Sequence, residues 1–151
     1  MSKKILVTGG TGYIGSHTVV ELQQAGYEVV IIDNLSNSNE GVLDGIVNIT
    51  GKRPFFYNID CTDMTALTPL FSEHAFDGII HFAASKAVGE SVQKPLLYYR
   101  NNLVSLINLL ELMPQNNVKG IVFSSSCTVY GEPDSNPIDE NAPIKPAASP
   151  Y

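Results

Sequence analysis

Short runs of apolar, β-branched residues alternate along this chain with longer stretches of helical period. "KILVT" (Lys4–Thr8) is a compact apolar run that predicts a strand. A glycine-rich turn follows, and then "YIGSHTVVELQQAG" from Tyr13, in which Ile14, Val19, Leu22 and Ala25 fall near one helical face. Gly26 stands where a helix-terminating glycine belongs. "YEVVIID" (Tyr27–Asp33) predicts a second strand, apolar on both faces, as in parallel sheets covered on both sides. Further strands are expected over Phe55–Asp60, Asp77–Ala84 and Lys119–Ser126. A short helix is expected over Asp63–His74, with Pro69 its weakest point, and a long one over Pro95–Met113 with proline in its first turn. After Val129 the chain is rich in Pro, Asn and Asp and carries no periodic element, which predicts a long loop over 130–151 leading to Tyr151.

Strand–helix alternation with apolar strands implies an α/β fold with a doubly wound parallel sheet. Right-handed crossovers place all strand C-termini on one edge, where such folds bind ligands. Composition narrows the partners. The 151 residues fit one domain, 44% hydrophobic and 16% charged. A net charge of −6 argues against nucleic acid, which needs a lysine and arginine surplus. It leaves open a small anion held at a helix N-terminus. No apolar run approaches a membrane span, and the start lacks the pattern of a signal peptide. Cys61 and Cys127 are too few for a disulfide framework, so the expected compartment is the cytoplasm. His17 and His74 read as surface or packing residues and His81 as a hydrogen-bonded core residue; no metal site is expected.

The first strand–helix turn, "TGGTGYIG", spaces Gly9, Gly12 and Gly15 three apart. Glycine there permits a tight turn, a close backbone approach to a pyrophosphate, and contact between helix and strand. Asp33 ends the second strand 18 residues after Gly15, about where a Rossmann-type fold places a ribose-binding carboxylate. Such a carboxylate accepts bonds from ribose hydroxyls and repels a 2′-phosphate, which predicts NAD rather than NADP. The serines ending the fifth strand lie on the same ligand edge, and Ser126 offers a hydroxyl that both donates and accepts.

The Gly-x-x-Gly-x-x-Gly spacing resembles the short-chain dehydrogenase/reductase superfamily. "HFAASKAVGESVQKPLLYYRNN" (His81–Asn102), "FSSSCTVYGEP" (Phe123–Pro133) and "SPY" (Ser149–Tyr151) resemble its extended branch, the UDP-glucose 4-epimerases. The resemblance runs from Lys4 to Tyr151 and implies NAD and a UDP-sugar as ligands. It implies that Tyr13 and Ile14 abut the pyrophosphate, and that Asp33, Asn34, Leu35, Ser36, Asn37 and Ser38 surround the adenosine ribose. Asp60 and Cys61 would flank the adenine. Phe82, Ala83, Ala84, Ser85 and Lys86 would pass along the cofactor, with Lys86 at the nicotinamide ribose and Asn101 and Ser124 beside it. Ser126 and Tyr151 would bind substrate and carry the chemistry, a transient oxidation at C4 of the sugar.

A free tyrosine has a pKa of about 10 and is ionised to about one part in a thousand at pH 7. A base near working pH needs roughly 4 kcal/mol of help. The superfamily supplies part of it through a lysine four residues on, which would be residue 155. The chain is therefore expected to be the N-terminal portion of a longer protein and inactive by itself. The resemblance implies a homodimer of that longer protein, formed through the helix over Pro95–Met113 and one starting near Tyr151, and leaves the state of these 151 residues open. Nucleotide-sugar 4,6-dehydratases resemble the chain too, but carry an Asp-Glu pair where Cys127 and Thr128 stand here. Related epimerases of other UDP-sugars and a non-catalytic NAD-binding module are the remaining readings.

Overall fold

The computed structural model describes residues 2–151. Five strands form one wholly parallel sheet: β1 (Lys4–Thr8), β2 (Glu28–Asp33), β3 (Phe55–Asn58), β4 (Gly78–His81) and β5 (Ile121–Phe123). Their order is β3-β2-β1-β4-β5, so β1 lies in the middle and the chain reverses direction of travel between β1 and β4. Ligand crevices open at such switch points. The register sets Thr8 beside Ile32 on one side and His81 on the other.

Five helices connect the strands: α1 (Tyr13–Gln24), α2 (Val42–Thr50), α3 (Met64–Glu73), α4 (Val88–Gln93) and α5 (Pro95–Gln115). One core layer joins Leu6, Val30, Ile32 and Ile79 of the sheet to Leu67, Leu70 and Phe71 of α3 and Leu109 and Leu112 of α5. The other joins Val7, Val29 and Ile31 to Val19 of α1 and Leu43 and Ile46 of α2. Alternate residues of β1 and β2 thus serve opposite layers, the physical reason both strands are apolar throughout.

Several expectations need correction. The strands are shorter than predicted: β3 stops at Asn58, β4 at His81 and β5 at Phe123, and the following residues turn outward as loops at the ligand edge. On α1 the buried residues are Gly15, Val19 and Gln23, while Ile14 and Ala25 are exposed. Gly26 follows α1 with φ +87, the left-handed geometry expected of it. The helix α3 runs straight through Pro69. Asp63 caps it, accepting from Thr65 N–H at 2.9 Å and Ala66 N–H at 3.1 Å. Pro69 and Thr65 both face solvent, where water can take up the carbonyl that proline leaves unpaired. Helices α2 and α4 were not anticipated. No helix or strand follows a single 3₁₀ turn at Cys127–Tyr130. No helix among the described residues is long and apolar enough to cross a membrane.

The three histidines separate. His17 is exposed on α1, edge-on to Tyr13. His74 ends α3 and is buried, its ring held by the Tyr57 hydroxyl at 2.7 Å. His81 ends β4, buried, with Nδ1 2.6 Å from Thr8 Oγ1. Burial pushes His81 down to about 4, so it is neutral at pH 7. The unfolded chain, with histidine near 6.5, then binds more protons between pH 6.5 and 4. His81's contribution is complete above pH 6.5 and is lost as pH falls towards 4, roughly 3 kcal/mol across the window. Thermal melts from pH 7 to pH 4.5 should show this loss, and His81→Asn should flatten the slope.

Candidate functional site

A continuous cleft runs along the C-terminal edge of the sheet, in two lobes that share Gly9, Gly12, Tyr13, Phe82, Ala83, Ala84 and Lys86. Its floor is the first strand–helix turn. Gly9 sits at φ +69, and a Cβ there would come 2.8 Å from Ala83 N. A Cβ on Gly15 would run into the Gly9 carbonyl oxygen. Glycine therefore lets α1 start directly against the strand end. Gly12 is the N-cap of α1 and supplies no side-chain cap, and the first turn holds no acidic residue. The N–H groups of Tyr13, Ile14 and Gly15 have no partner among the described residues. Unpaired donors and the positive end of a 12-residue helix are what an anion would need here.

The first lobe lies towards β2 and β3. Asp33 stands beside the glycine turn, its Oδ2 accepting Thr11 N–H at 3.2 Å. Its Oδ1 accepts Leu35 N–H at 3.0 Å and Ser38 Oγ at 3.1 Å. The carboxylate thus closes a local turn and faces the cleft at once. Asn34, Ser36, Asn37 and Ser38 line the same lobe; Leu35 lines neither, and its part is a backbone at φ +57. Asp60 accepts from Thr62 N–H and hydroxyl at 2.8 and 2.7 Å and from Asn34 Nδ2 at 2.9 Å. Burial raises its pKa, but these hydrogen bonds prevail and leave the carboxyl below its ordinary value. Cys61, 5% exposed, is pushed up to about 12 by burial and by Asp60, which makes it an inert wall. Ser85 and Asn101 complete this lobe.

The second lobe lies towards β5. Here Ile14, Gly15, Ser124, Ser126 and Tyr151 come together with Phe82, Ala83, Ala84 and Lys86. Ser126 caps the 3₁₀ turn, its Oγ accepting Thr128 N–H at 3.3 Å. Thr128 Oγ1 in turn donates to the Tyr151 carbonyl at 3.4 Å, tying the chain's last residue to the serine turn across 23 positions. Every residue expected at the site except Leu35 therefore lines one lobe or the other. Others line it unannounced: Ile59, Ser105, Asn102, His81, Phe123, Ser125, Thr128 and Val129. Thr11, inside "TGGTGYIG", lines neither lobe but holds Asp33 through its N–H and Ser38 through its hydroxyl at 2.8 Å.

Sheet, strand order and a glycine-floored cleft at the switch point define a Rossmann-type α/β fold. A family model described as GDP-mannose 4,6 dehydratase matches residues 6–151, and the chain belongs to that family. It is 51% identical to UDP-glucose 4-epimerase 2 of Arabidopsis thaliana over 154 aligned positions, covering all of this chain and 44% of that protein. It is 54% identical to the UDP-glucose 4-epimerase of Bacillus subtilis, covering 97% of this chain and 43% of the relative. The crystal structure of UDP-glucose 4-epimerase from Bifidobacterium longum, in complex with NAD+ and UDP, superposes with a TM-score of 0.94 at 47% identity. That match covers 99% of this chain and 44% of the other. The chain thus spans less than half the length of the relatives it matches.

Proposed function

We propose that the chain is the NAD-binding portion of a UDP-glucose 4-epimerase, which interconverts UDP-glucose and UDP-galactose by transient oxidation at C4. One observation carries the reading. A glycine turn with free N–H donors, an acid at the end of β2, and a serine–tyrosine pair all line one cleft. The free donors at the start of α1, brought close against the strand end by side-chain-free Gly9 and Gly15, suit a pyrophosphate. Asp33, Asn34 and Asp60 suit the ribose and adenine end, Lys86 the nicotinamide ribose, and Asn101 lies beside the cofactor's path. The crystallised relative's NAD+ supports this occupant.

When bound, NAD supplies an acceptor for hydride beside the second lobe. Tyr151 Oη would take the proton of the sugar's 4-hydroxyl, and Ser126 Oγ would hold that oxygen by donating to it. After the 4-keto sugar has turned over in the site, Tyr151 would return the proton and hydride would return to the opposite face. The dehydratase reading suggested by the family description needs an acid pair beside the serine. Cys127 and Thr128 supply none, and Thr128's hydroxyl is engaged by Tyr151. The longer protein is read as a homodimer. Support comes from α5, where Leu96, Tyr99, Leu103, Ile107 and Leu110 form an exposed apolar stripe on one side. Tyr98 is not part of it, being buried against α4.

Calorimetric titration of NAD into the 151-residue chain should show binding; the absence of heat at millimolar NAD would overturn the reading. The chain alone should not convert UDP-galactose. In the longer protein Tyr151→Phe should cut kcat by about 100-fold or more.

A further inference from the structure

The side of α5 facing the cleft is polar. Asn101, Asn102, Ser105 and Asn108 share it, and Ser105 and Asn108 are buried. Asn102 turns both polar atoms of its carboxamide to one backbone unit: Oδ1 accepts Ser85 N–H at 2.8 Å and Nδ2 donates to the Ser85 carbonyl at 2.9 Å. Asn101 Nδ2 reaches Ser85 Oγ and Asn102 Oδ1, each at 3.1 Å. On either side, Ala83 N–H donates to Thr8 Oγ1 at 3.2 Å and Ala87 N–H to the Tyr98 hydroxyl at 3.1 Å. The anchors fall on every second residue, 83, 85 and 87. Between them Ala84 and Lys86 are exposed along the cleft. Further down the helix, Asn108 Nδ2 donates to the Cys61 carbonyl at 3.0 Å, fixing the opposite wall.

We infer that Asn102 is a positioning residue: by gripping the Ser85 backbone it fixes the 82–87 loop, so that Ala84 and Lys86 present themselves to the ligand. The inference rests on the reading of the cleft as a dinucleotide site. The loop has no sheet partner beyond Ser124 N–H to the His81 carbonyl and Phe82 N–H to the Thr8 carbonyl, so past Ala83 its path is set by side chains of α5. Both polar atoms of the Asn102 side chain are engaged by the Ser85 backbone, whereas Asn101 Oδ1 accepts nothing from the described residues and is free to meet a ligand.

The test compares the wild-type chain with Asn102→Leu, of similar volume, and Asn102→Asp, which keeps the acceptor for Ser85 N–H and loses the donor. NAD affinity is measured by calorimetry and exchange of the Ser85 amide by NMR. Asn102→Leu should weaken NAD about tenfold or more and speed Ser85 exchange by a similar factor, with Asn102→Asp between it and wild type. Wild-type NAD affinity in a folded Asn102→Leu, or unchanged Ser85 exchange, overturns the inference. Should Asn102→Leu fail to fold, Asn102→Asp is judged by the same two readouts. If the wild type itself binds no NAD, the dinucleotide reading falls. Ser85 exchange then still decides the clamp: faster exchange in either variant sustains it and unchanged exchange refutes it.

Discussion

Replacing Gly15 with valine should abolish dinucleotide binding. The side chain would have to enter space already filled by the Gly9 carbonyl oxygen and the Gly10 Cα, both backbone atoms of the turn. Neither can swing aside as a flexible side-chain tip could. The clash is relieved only if α1 backs away from the end of β1, and that motion withdraws the free N–H groups of Tyr13 and Ile14 from the cleft floor. Overpacking of this kind costs about 1–3 kcal/mol in an adaptable core, and here the obstacle is backbone. NAD affinity should fall by at least about 100-fold, equivalent to about 2.7 kcal/mol, with a lowered Tm. Gly26→Ala separates this effect from general sensitivity to losing a glycine. That residue also has positive φ, +87, but a Cβ there meets nothing, so it should cost stability and leave NAD affinity in place. Equal NAD losses in the two variants would refute the argument.

Asp33→Asn should loosen the hold on NAD about tenfold to thirtyfold and narrow the preference over NADP by a comparable factor. The amide oxygen can still accept Leu35 N–H and Ser38 Oγ, so the turn from β2 is preserved. What disappears is the negative charge, together with the Oδ2 acceptor for Thr11 N–H. A carboxylate is the better acceptor for two ribose hydroxyls, and it repels a phosphate placed on one of them. Titrations with both nucleotides at two salt concentrations test this. The wild-type preference for NAD should shrink as salt rises, while that of the variant should change little. A variant with wild-type preference would remove Asp33 from the ribose end of the site.

Much of this was legible in the sequence because the decisive signals were local. A compact apolar run such as "KILVT" has few ways to bury itself other than as an inner parallel strand, and the glycine spacing and Asp33 follow from short stretches of chain. Two helices escaped for different reasons. The apolar positions of α2 do recur with helical period, but the helix opens at Gly41 after a run of Asn and Ser that reads as loop. With six residues, α4 is too short to display a period. The helix at Pro69 was doubted because propensity forbids a mid-helix proline. Burial of Leu67, Leu70 and Phe71 outweighs that local preference. The grip of Asn102 on Ser85 could not be read at all, since it spans 17 positions and depends on where α5 lies against β4. Polar residues in an otherwise apolar helix were the only trace of it. Ser126 has two parts that its sequence position does not separate, for it is a turn cap and also a wall of the cleft.

The order of the strands governs when the site can come into being during synthesis. The register joins Ile5 to Val29 early, but its other neighbour, Gly78, is 73 residues further along. Until β4 has left the ribosome, the central strand has one open edge, and the Ala83 backbone that closes over Gly9 does not yet exist. The glycine turn therefore leaves the ribosome well before it can acquire its shape, and the nascent polypeptide must stay soluble through that interval with an unpaired apolar edge.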